Sequence, residues 1–135
     1  MAVKQVQESP VNADAVAVVA FLQQRWTEAF GKRDVEGLVD LYAEDCLLFG
    51  GHAALSSGRP AVRDYFGALP EEALRAGFGA QSVLRLAPTV IASAGFVDFT
   101  VGDAAPLAFR ISLTFVRAGG DWKIASQHAS PIPIG

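Results

Sequence analysis

Hydrophobic and polar residues alternate in two runs near the C-terminus, one on each side of a Gly-Gly pair. The first run spans Phe109 to Phe115, and the second begins at Trp122 and continues towards Ser130. A period of two is typical of a β-strand, in which successive side chains point to opposite faces. Gly119-Gly120 predicts a two-residue hairpin turn, because both central positions of such a turn need positive φ. The sequence therefore predicts a closing β-hairpin.

The hairpin turn also sets a predicted register between its two strands. Counting outward from the turn places Leu113 opposite Ser126. Two residues further along, Ile111 lies opposite His128, which is therefore expected on the apolar face. That face is expected to carry Phe109, Ile111, Leu113, Phe115, Trp122, Ile124, Ser126 and His128. The other face is expected to carry Ala108, Arg110, Ser112, Thr114, Lys123, Ala125 and Gln127.

Apolar residues recur every three or four positions in the N-terminal half, which is typical of amphipathic helices. The first predicted helix is capped by Asn12 or Asp14 and ends at Gly31. Asp34 caps a short second helix, and Pro60 lies in the first turn of a third helix, where no backbone N–H is needed. The apolar sides of the three helices consist of Val19, Leu22, Trp26 and Phe30, of Leu38, Leu41 and Tyr42, and of Val62, Tyr65, Phe66 and Leu69.

Shorter patterns predict the remaining elements. Cys46 to Phe49 indicates a short buried strand, and residues 71–76 indicate one more helical turn. The period of two then predicts a long strand from Gln81 to Ser93 and another from Gly95 to Val101. Pro88 within the first of these indicates a sheet edge or a bulge, because proline donates no hydrogen bond to a neighbouring strand.

Helices come first and long strands last, an order that is typical of an α+β protein. We expect three N-terminal helices packed on one face of a strongly curved, mostly antiparallel sheet. Residues 1–11 are expected to form a loose arm, and residues 12–135 a single domain. The apolar stretch 13–22 is interpreted as helix rather than signal peptide, because no basic cluster precedes it and it contains Asp14.

The amino-acid composition indicates that a second subunit covers part of the sheet. Hydrophobic residues make up 51% of the chain and charged residues only 19%, and the mean hydropathy is +0.30. No apolar run reaches the roughly 18 residues that a membrane span needs. A sheet buried on both faces, by helices on one side and by a second subunit on the other, explains the surplus. We therefore expect a homodimer, with a monomer as the alternative.

The charge and cysteine content limit which partners and which cellular location are expected. The net charge is −3 at pH 7, the sequence pI is about 5.2, and the Lys and Arg residues are scattered. Without a basic stripe, neither nucleic acid nor an anionic membrane is an expected partner. The single cysteine, Cys46, excludes an internal disulfide and favours a reducing, cytoplasmic location.

Several stretches together carry a family resemblance. Trp26-Thr-Glu-Ala-Phe30, Gly37 to Asp45 and Gly58 to Phe66 resemble the helical half of the nuclear-transport-factor-2-like (SnoaL-like) superfamily. Arg110 to Arg117, then Asp121-Trp-Lys-Ile124 and His128-Ala-Ser130, are similar to the association (hub) domain of calcium/calmodulin-dependent protein kinase II and its stand-alone bacterial relatives. The resemblance implies a cone-shaped fold enclosing a pocket. It also implies dimers formed through the sheet, sometimes assembled into larger rings.

The resemblance implies no single activity, because the superfamily includes isomerases, polyketide cyclases, dehydratases, transport adaptors and assembly domains. A ketosteroid isomerase needs a carboxylate base and two donors that hold the enolate oxygen. The matching positions hold Gly50, Trp26 and Ser112, none of which can replace its counterpart. In the kinase hub, strand arginines line an anion-accepting pocket, and Asp98 and Leu113 stand at those positions. Neither chemistry is expected here.

Asp98 and Arg110 form the first candidate polar site. They lie on adjacent predicted strands, and a three-residue turn at residues 103–105 would place them opposite one another. A two-residue turn would place them on opposite faces. The pair is either a pocket acid oriented by an arginine, or an arginine that anchors an anionic ligand, or a cross-strand ion pair at a subunit interface.

The two histidines have different expected surroundings. His128 is either a proton shuttle at the cavity floor, since histidine titrates near neutrality, or a hydrogen-bonded core or interface residue. His52 lies in a glycine-flanked loop and is expected to be solvated. Two histidines and one cysteine are too few for a transition-metal site, and no phosphate-binding motif is present, so we expect neither metal nor cofactor.

These observations lead to one function and one alternative. The first is a homo-oligomerising domain with a pocket for an unidentified small molecule and no established catalytic set. The alternative is a polyketide-cyclase, isomerase or lyase-like enzyme that uses Asp98 or His128 as a general acid or base. The candidate ligand-binding residues are Trp26, Phe30, Tyr65, Phe66, Asp98, Arg110 and His128.

Overall fold

A six-stranded sheet carries the helices in the computed structural model, which describes residues 10–133. The elements are α1 (Pro10–Gly31), α2 (Val35–Val39), β1 (Tyr42–Phe49), β2 (Ser56–Ser57), α3 (Arg59–Gly67), β3 (Leu74–Ala87), β4 (Val90–Val101), β5 (Leu107–Ala118) and β6 (Asp121–Pro131). The predicted α+β class and the three helices are confirmed. Of the predicted N-terminal arm, residues 1–9 lie outside the described residues.

The strands are ordered β2-β1-β6-β5-β4-β3 across the sheet. All neighbouring pairs are antiparallel except β1 and β6, which run parallel. β3 to β6 form three consecutive antiparallel pairs, while β1 adds to the far side of β6 although it comes before α3 in the chain. The sheet is therefore mostly antiparallel, as predicted.

The helices cover one face of the sheet, called the inner face below; the opposite face is called the outer face. α1 packs against β3 through buried residues spaced three or four positions apart: Ala15, Val19, Leu22, Trp26 and Phe30. α3 buries Val62 and Phe66 and packs against β1 and β2. No helix among residues 10–133 is long and apolar enough to cross a membrane.

The predicted hairpin turn is confirmed, but the predicted register is correct only near it. Arg117 pairs with Trp122, and Gly119 and Gly120 have φ values of 65° and 94°. Phe115 pairs with Ile124, whereas Thr114 pairs with Ser126. One residue of β6, Ala125, is left over between these pairs and forms a β-bulge. A bulge places two residues of one strand against one of its neighbour.

The bulge exchanges the two faces for the rest of β6. Leu113 pairs with Gln127 rather than Ser126, and Ser112 rather than Ile111 pairs with His128. Gln127 therefore lies on the inner face and is buried, while His128 lies on the outer face and is exposed. The prediction that His128 shares a face with Ile111 and Leu113 was wrong, because counting back from the turn assumed no extra residue.

Other boundaries also differ from the predictions. α1 begins at Pro10, within the predicted arm and before both predicted caps, and Tyr42 begins β1 instead of ending the second helix. The strand predicted from Gln81 to Ser93 is two strands, β3 and β4, joined by a tight turn at Pro88 and Thr89. Proline donates no ladder hydrogen bond, so it ends the strand here instead of interrupting it. Residues 71–76 do not form a helical turn, because β3 already begins at Leu74. The loop predicted after Gly51 contains the short strand β2.

The Asp34 cap of α2 gives a first testable prediction. Its side chain accepts a hydrogen bond of 3.0 Å from the Gly37 N–H, as the sequence predicts. We expect Asp34→Ala to lower the free energy of unfolding by about 1 kcal/mol, because an orphan helix N–H loses its acceptor. Urea denaturation measures this change. Asp34→Asn keeps an acceptor oxygen and should lose less than half as much; equal losses would contradict the capping role.

Candidate functional site

A cavity of about 250 Å³ lies between the inner face of the sheet and the helices α1 and α3. Its walls are mainly apolar, with Phe99, Leu107 and Phe109 on the sheet side and Leu69 after α3. Two other depressions are larger but more open to solvent. One of about 530 Å³ lies on the outer face, and one of about 340 Å³ follows α1 and β3. The cavity under the helices is the best enclosed of the three.

Aromatic rings make one wall of the cavity rigid. Trp26 stacks on Phe30 with ring centroids 4.7 Å apart. Phe66, at 6.0 Å, and Phe99, at 6.2 Å, meet the Trp26 ring edge-on. Edge-to-face and offset-stacked arrangements are the favourable geometries for aromatic pairs. The wall is therefore preformed.

A chain of three buried polar side chains runs from α1 through β1 to β6. The Trp26 Nε1–H donates to the Tyr42 Oη over 2.9 Å, and the Tyr42 hydroxyl donates to the Gln127 Oε1. Their exposed fractions are 3%, 0% and 5%. An indole N–H can only donate, so the Tyr42 oxygen accepts that bond and its own hydrogen is available for Gln127.

This direction fixes the orientation of the Gln127 amide. Its oxygen faces Tyr42, so its NH₂ group is turned away from Tyr42. Within residues 10–133 that nitrogen donates no hydrogen bond, and Gln127 lines the cavity. Gln127 lines this cavity and also a much smaller void beside Leu113 and Phe115, and its amide nitrogen is the group of the polar chain that has donors left over.

Tyr65 supplies a second polar group at the cavity rim. Its Oη accepts a hydrogen bond of 2.7 Å from the Gly51 N–H. The neighbouring Gly50 is required for this approach, since a Cβ at that position would overlap the Tyr65 hydroxyl. The exposed His52 ring meets the Tyr65 ring edge-on with centroids 5.1 Å apart. His52 is not itself a lining residue, and none of the residues that line the cavity carries a charge.

The sequence-predicted site residues divide into two groups. The four aromatic candidates, Trp26, Phe30, Tyr65 and Phe66, all line the cavity. The three polar candidates, Asp98, Arg110 and His128, are not among its lining residues. The structure thus separates the apolar candidates from the residues that were expected to carry acid–base chemistry.

Asp98 and Arg110 share the outer face but do not lie directly opposite one another. Asp98 pairs with Ala108, and Arg110 pairs with Phe96. The connection from Val101 to Leu107 matches neither of the two turn lengths considered from the sequence. In the described part of the chain the two side chains form no ion pair.

His128 lies on the outer face, beside a shallow groove whose lining also includes Arg110 and Ser112. Its ring centroid is 5.5 Å from that of Phe49, with which it pairs across β1 and β6. Of the two alternatives for His128, the position at the cavity floor does not agree with this placement, because the β6 bulge turns the side chain to the outer face. The residue that reaches the inner face instead is the neighbouring Gln127.

Sequence reasoning missed Tyr42 and Gln127 as polar residues of the site. Tyr42 was counted among apolar helix residues, and Gln127 was assigned to the opposite face. They are 85 positions apart in the chain, so no local spacing joins them. Burial raises the pKa of Tyr42 well above its ordinary value, which keeps its hydroxyl protonated as a donor.

Metal binding has no support in the site. Among residues 10–133 no group of three or more His, Cys, Asp and Glu side chains could hold a metal ion. Cys46 is a buried free cysteine, and burial raises the pKa of its thiol. A protonated thiol is a poor metal ligand and a poor nucleophile.

The second prediction concerns the buried hydroxyl of Tyr42. We expect Tyr42→Phe to lower the free energy of unfolding by about 1–3 kcal/mol, because it leaves Trp26 without an acceptor and Gln127 without a donor. Urea denaturation at pH 7 measures the change. Tyr65→Phe is the matched control, since the Gly51 N–H that it releases is exposed; its loss should stay below about 1 kcal/mol.

The pH dependence gives a second readout of the same variant. Because the folded-state pKa of Tyr42 is raised, the unfolded chain loses this proton first, and the stabilisation is present below pH 10 and lost above it. The difference in unfolding free energy between wild type and Tyr42→Phe should shrink by about 1.4 kcal/mol per pH unit above pH 10. A difference that stays constant up to pH 11 would contradict a buried, protonated Tyr42.

Known structures share this fold at low sequence identity. A protein of Xanthomonas campestris, named as a candidate calcium/calmodulin-dependent protein kinase II association domain, superposes with a TM-score of 0.81 at 21% identity, covering 98% of both chains. A Pseudomonas putida protein of the nuclear-transport-factor-2-like type and unknown function gives 0.77 at 21%, covering 87% of this chain and 86% of that one. A candidate dehydratase of the same type from Streptomyces avermitilis gives 0.78 at 18%, covering 90% and 99%.

These identities support a common fold and no common activity. No curated protein sequence matches the chain. The model of the SnoaL-like domain matches residues 19–135, which is most of the sequence. The resemblance seen in the sequence is confirmed: the chain belongs to the SnoaL-like family of the nuclear-transport-factor-2-like superfamily.

Proposed function

We propose that this protein binds a small, neutral and mainly apolar molecule in the cavity beneath α1 and α3. The cavity itself is the observation that carries the proposal. It is the best enclosed of the three depressions, its aromatic wall is preformed, and its polar groups are few and uncharged. Small-molecule sites in proteins are typically concave and apolar with a few placed polar groups. An apolar ligand would gain roughly 25 cal/mol for each Å² removed from water.

The alternative, an enzyme with Asp98 or His128 as general acid or base, has less support. A general base must lie within hydrogen-bond reach of the proton that it removes. Both side chains lie on the outer face, across the sheet from the cavity. The neighbour named as a candidate dehydratase shares only the fold with this chain. Binding without acid–base catalysis fits the lining residues better.

We further propose that two copies associate through the outer face of the sheet. Four large apolar side chains on this face are 41% to 59% exposed: Leu47, Phe49, Leu84 and Phe96. Polar outer-face residues of β5 and β6, among them Arg110, Ser112 and His128, separate Leu47 and Phe49 from Phe96. Large exposed apolar side chains rimmed by polar residues are typical of contact surfaces between proteins. A second copy would cover this face, and Arg110 and His128 would then lie in the interface. A larger ring and a cytoplasmic location remain parts of this proposal, the latter supported by the free thiol of Cys46.

The ligand proposal predicts that the bicyclic hydrocarbon tetralin binds in the cavity. Leu107 at the cavity mouth and Phe21 on α1 are similarly exposed, at 60% and 61%, which makes them a matched pair. We expect Leu107→Asp to weaken tetralin binding about tenfold, because a carboxylate replaces apolar contact. Phe21→Asp should leave the affinity unchanged. Isothermal titration calorimetry measures both, and no detectable tetralin binding by the wild type would contradict the proposed function.

The oligomer proposal predicts a particle of twice the chain mass of 14.2 kDa, or a higher multiple. Size-exclusion chromatography with light scattering at micromolar concentration measures it. Phe96→Glu should produce monomers, since it would bury an unpaired charge in the interface. Phe21→Glu is the control, because Phe21 is a similarly exposed aromatic residue on α1. A monomeric wild type would reject the dimer and leave the ligand proposal intact.

A further inference from the structure

We propose that Gln127 orients the ligand by donating a hydrogen bond from its amide nitrogen to a carbonyl oxygen, so that the preferred ligands are neutral bicyclic carbonyl compounds. This inference rests on the proposed function, since it names the ligand class of the same cavity. Its basis is the amide of Gln127, whose side chain lines the apolar cavity in a residue that is only 5% exposed, and whose nitrogen donates no hydrogen bond to another group within residues 10–133.

Rotating the Gln127 amide by about 180° would not give its NH₂ group a suitable partner. Turning would bring the NH₂ group against the Tyr42 hydroxyl, whose oxygen already accepts from Trp26 and whose hydrogen needs an acceptor. Tyr42 would then lose the acceptor for its own hydrogen, and a buried donor without a partner costs about 1–3 kcal/mol. Trp26, Tyr42 and Gln127 thus form a one-way chain that ends in an N–H directed away from Tyr42. A ligand oxygen would complete it.

The lining side chains of the cavity determine which type of ligand oxygen can bind there. None of its lining side chains is an Arg, Lys or His, so a ligand carboxylate would be buried without a counter-charge. A ligand hydroxyl would bring a hydrogen that needs an acceptor; the Gln127 oxygen is already occupied by Tyr42, and the lining offers only the hydroxyls of Tyr65 and Thr100 instead. A ketone, ester or lactone oxygen only accepts, as a terminal N–H donor requires. Neutral carbonyl compounds are therefore favoured over both.

The cavity volume sets the size of the apolar part. A cavity of about 150 Å³ is known to hold benzene. The present cavity of about 250 Å³ has room for a second fused ring. Flat rings also match the wall formed by Trp26 and Phe30, whose planes are inclined by only 16°.

The test compares two probes of nearly equal shape, 1-tetralone and tetralin, which differ in a single carbonyl group. Isothermal titration calorimetry of the wild type gives a dissociation constant for each probe, which is then corrected for that probe's partition coefficient between water and an alkane. After this correction 1-tetralone should bind about tenfold more tightly than tetralin. Gln127→Leu should abolish that preference while retaining tetralin binding. Leu69→Ala, which shortens an apolar lining side chain, should weaken both probes and leave their ratio unchanged.

A spectroscopic readout keeps the test independent of whether Gln127→Leu folds. The infrared carbonyl stretch of 1-tetralone bound to the wild type should lie at lower frequency than in an alkane, because a hydrogen bond weakens the C=O bond. The shift should persist in Tyr65→Phe and in Thr100→Val, which remove the hydroxyls of the two lining residues that carry one. An unshifted band, or a shift that disappears in either variant, would overturn the role of Gln127. If both probes bind with equal corrected affinity, the inference about Gln127 fails while the proposed function stands; if neither binds, both fail.

Discussion

The extra residue in β6 is the constraint on which the site depends. Ala125 has no partner on β5, so every residue after it points to the face opposite the one that alternation from the turn would give. Without the bulge, His128 would reach the cavity and Gln127 would lie outside with Arg110. With it, the inner face of β6 receives an amide in place of an imidazole. One unpaired backbone position thus changes the chemistry available at the site from proton transfer to hydrogen-bond donation.

The polar chain that ends in Gln127 is stable because each of its hydrogen bonds can form in one direction only. Trp26 donates, Tyr42 accepts and donates, and the Gln127 oxygen accepts. Side chains from a helix and two strands are joined by bonds whose directions cannot be reversed one at a time. The same bonds hold the Trp26 ring that forms the aromatic wall of the cavity. Core stability and the shape of the site are therefore supported by the same residues.

Much of the fold could be predicted from the sequence, because helices and turns leave local signals. The Asp34 cap, Pro60 in α3 and the Gly119-Gly120 turn each satisfy a backbone requirement within a few residues. The four aromatic lining residues that lie on α1 and α3 followed from helical spacing for the same reason. A bulge at Ala125 leaves no such signal, since Ala-Ser-Gln in place of a strict alternation is compatible with either face.

The strand ends were misread for a related reason. Pro88 was placed within a strand because alternation continues on both sides of it, although a proline can equally well lie in the turn between two strands. The pairing of Tyr42 with Gln127 could not be predicted either, as it depends on where β6 lies relative to β1 after the whole sheet has formed. The positions of the polar site residues depend on long-range strand register, whereas those of the apolar site residues follow from the local sequence pattern.

The close approach of Tyr65 to Gly50 has a consequence for how the cavity can change. The Tyr65 hydroxyl occupies the space that a side chain at position 50 would fill, so the two positions share one volume. A side chain at position 50 would therefore require Tyr65 to move aside or to be replaced by a smaller residue. Substitutions at these two positions are therefore coupled, and exchanging which of them carries the bulky group would move the rim of the cavity without altering the sheet beneath it.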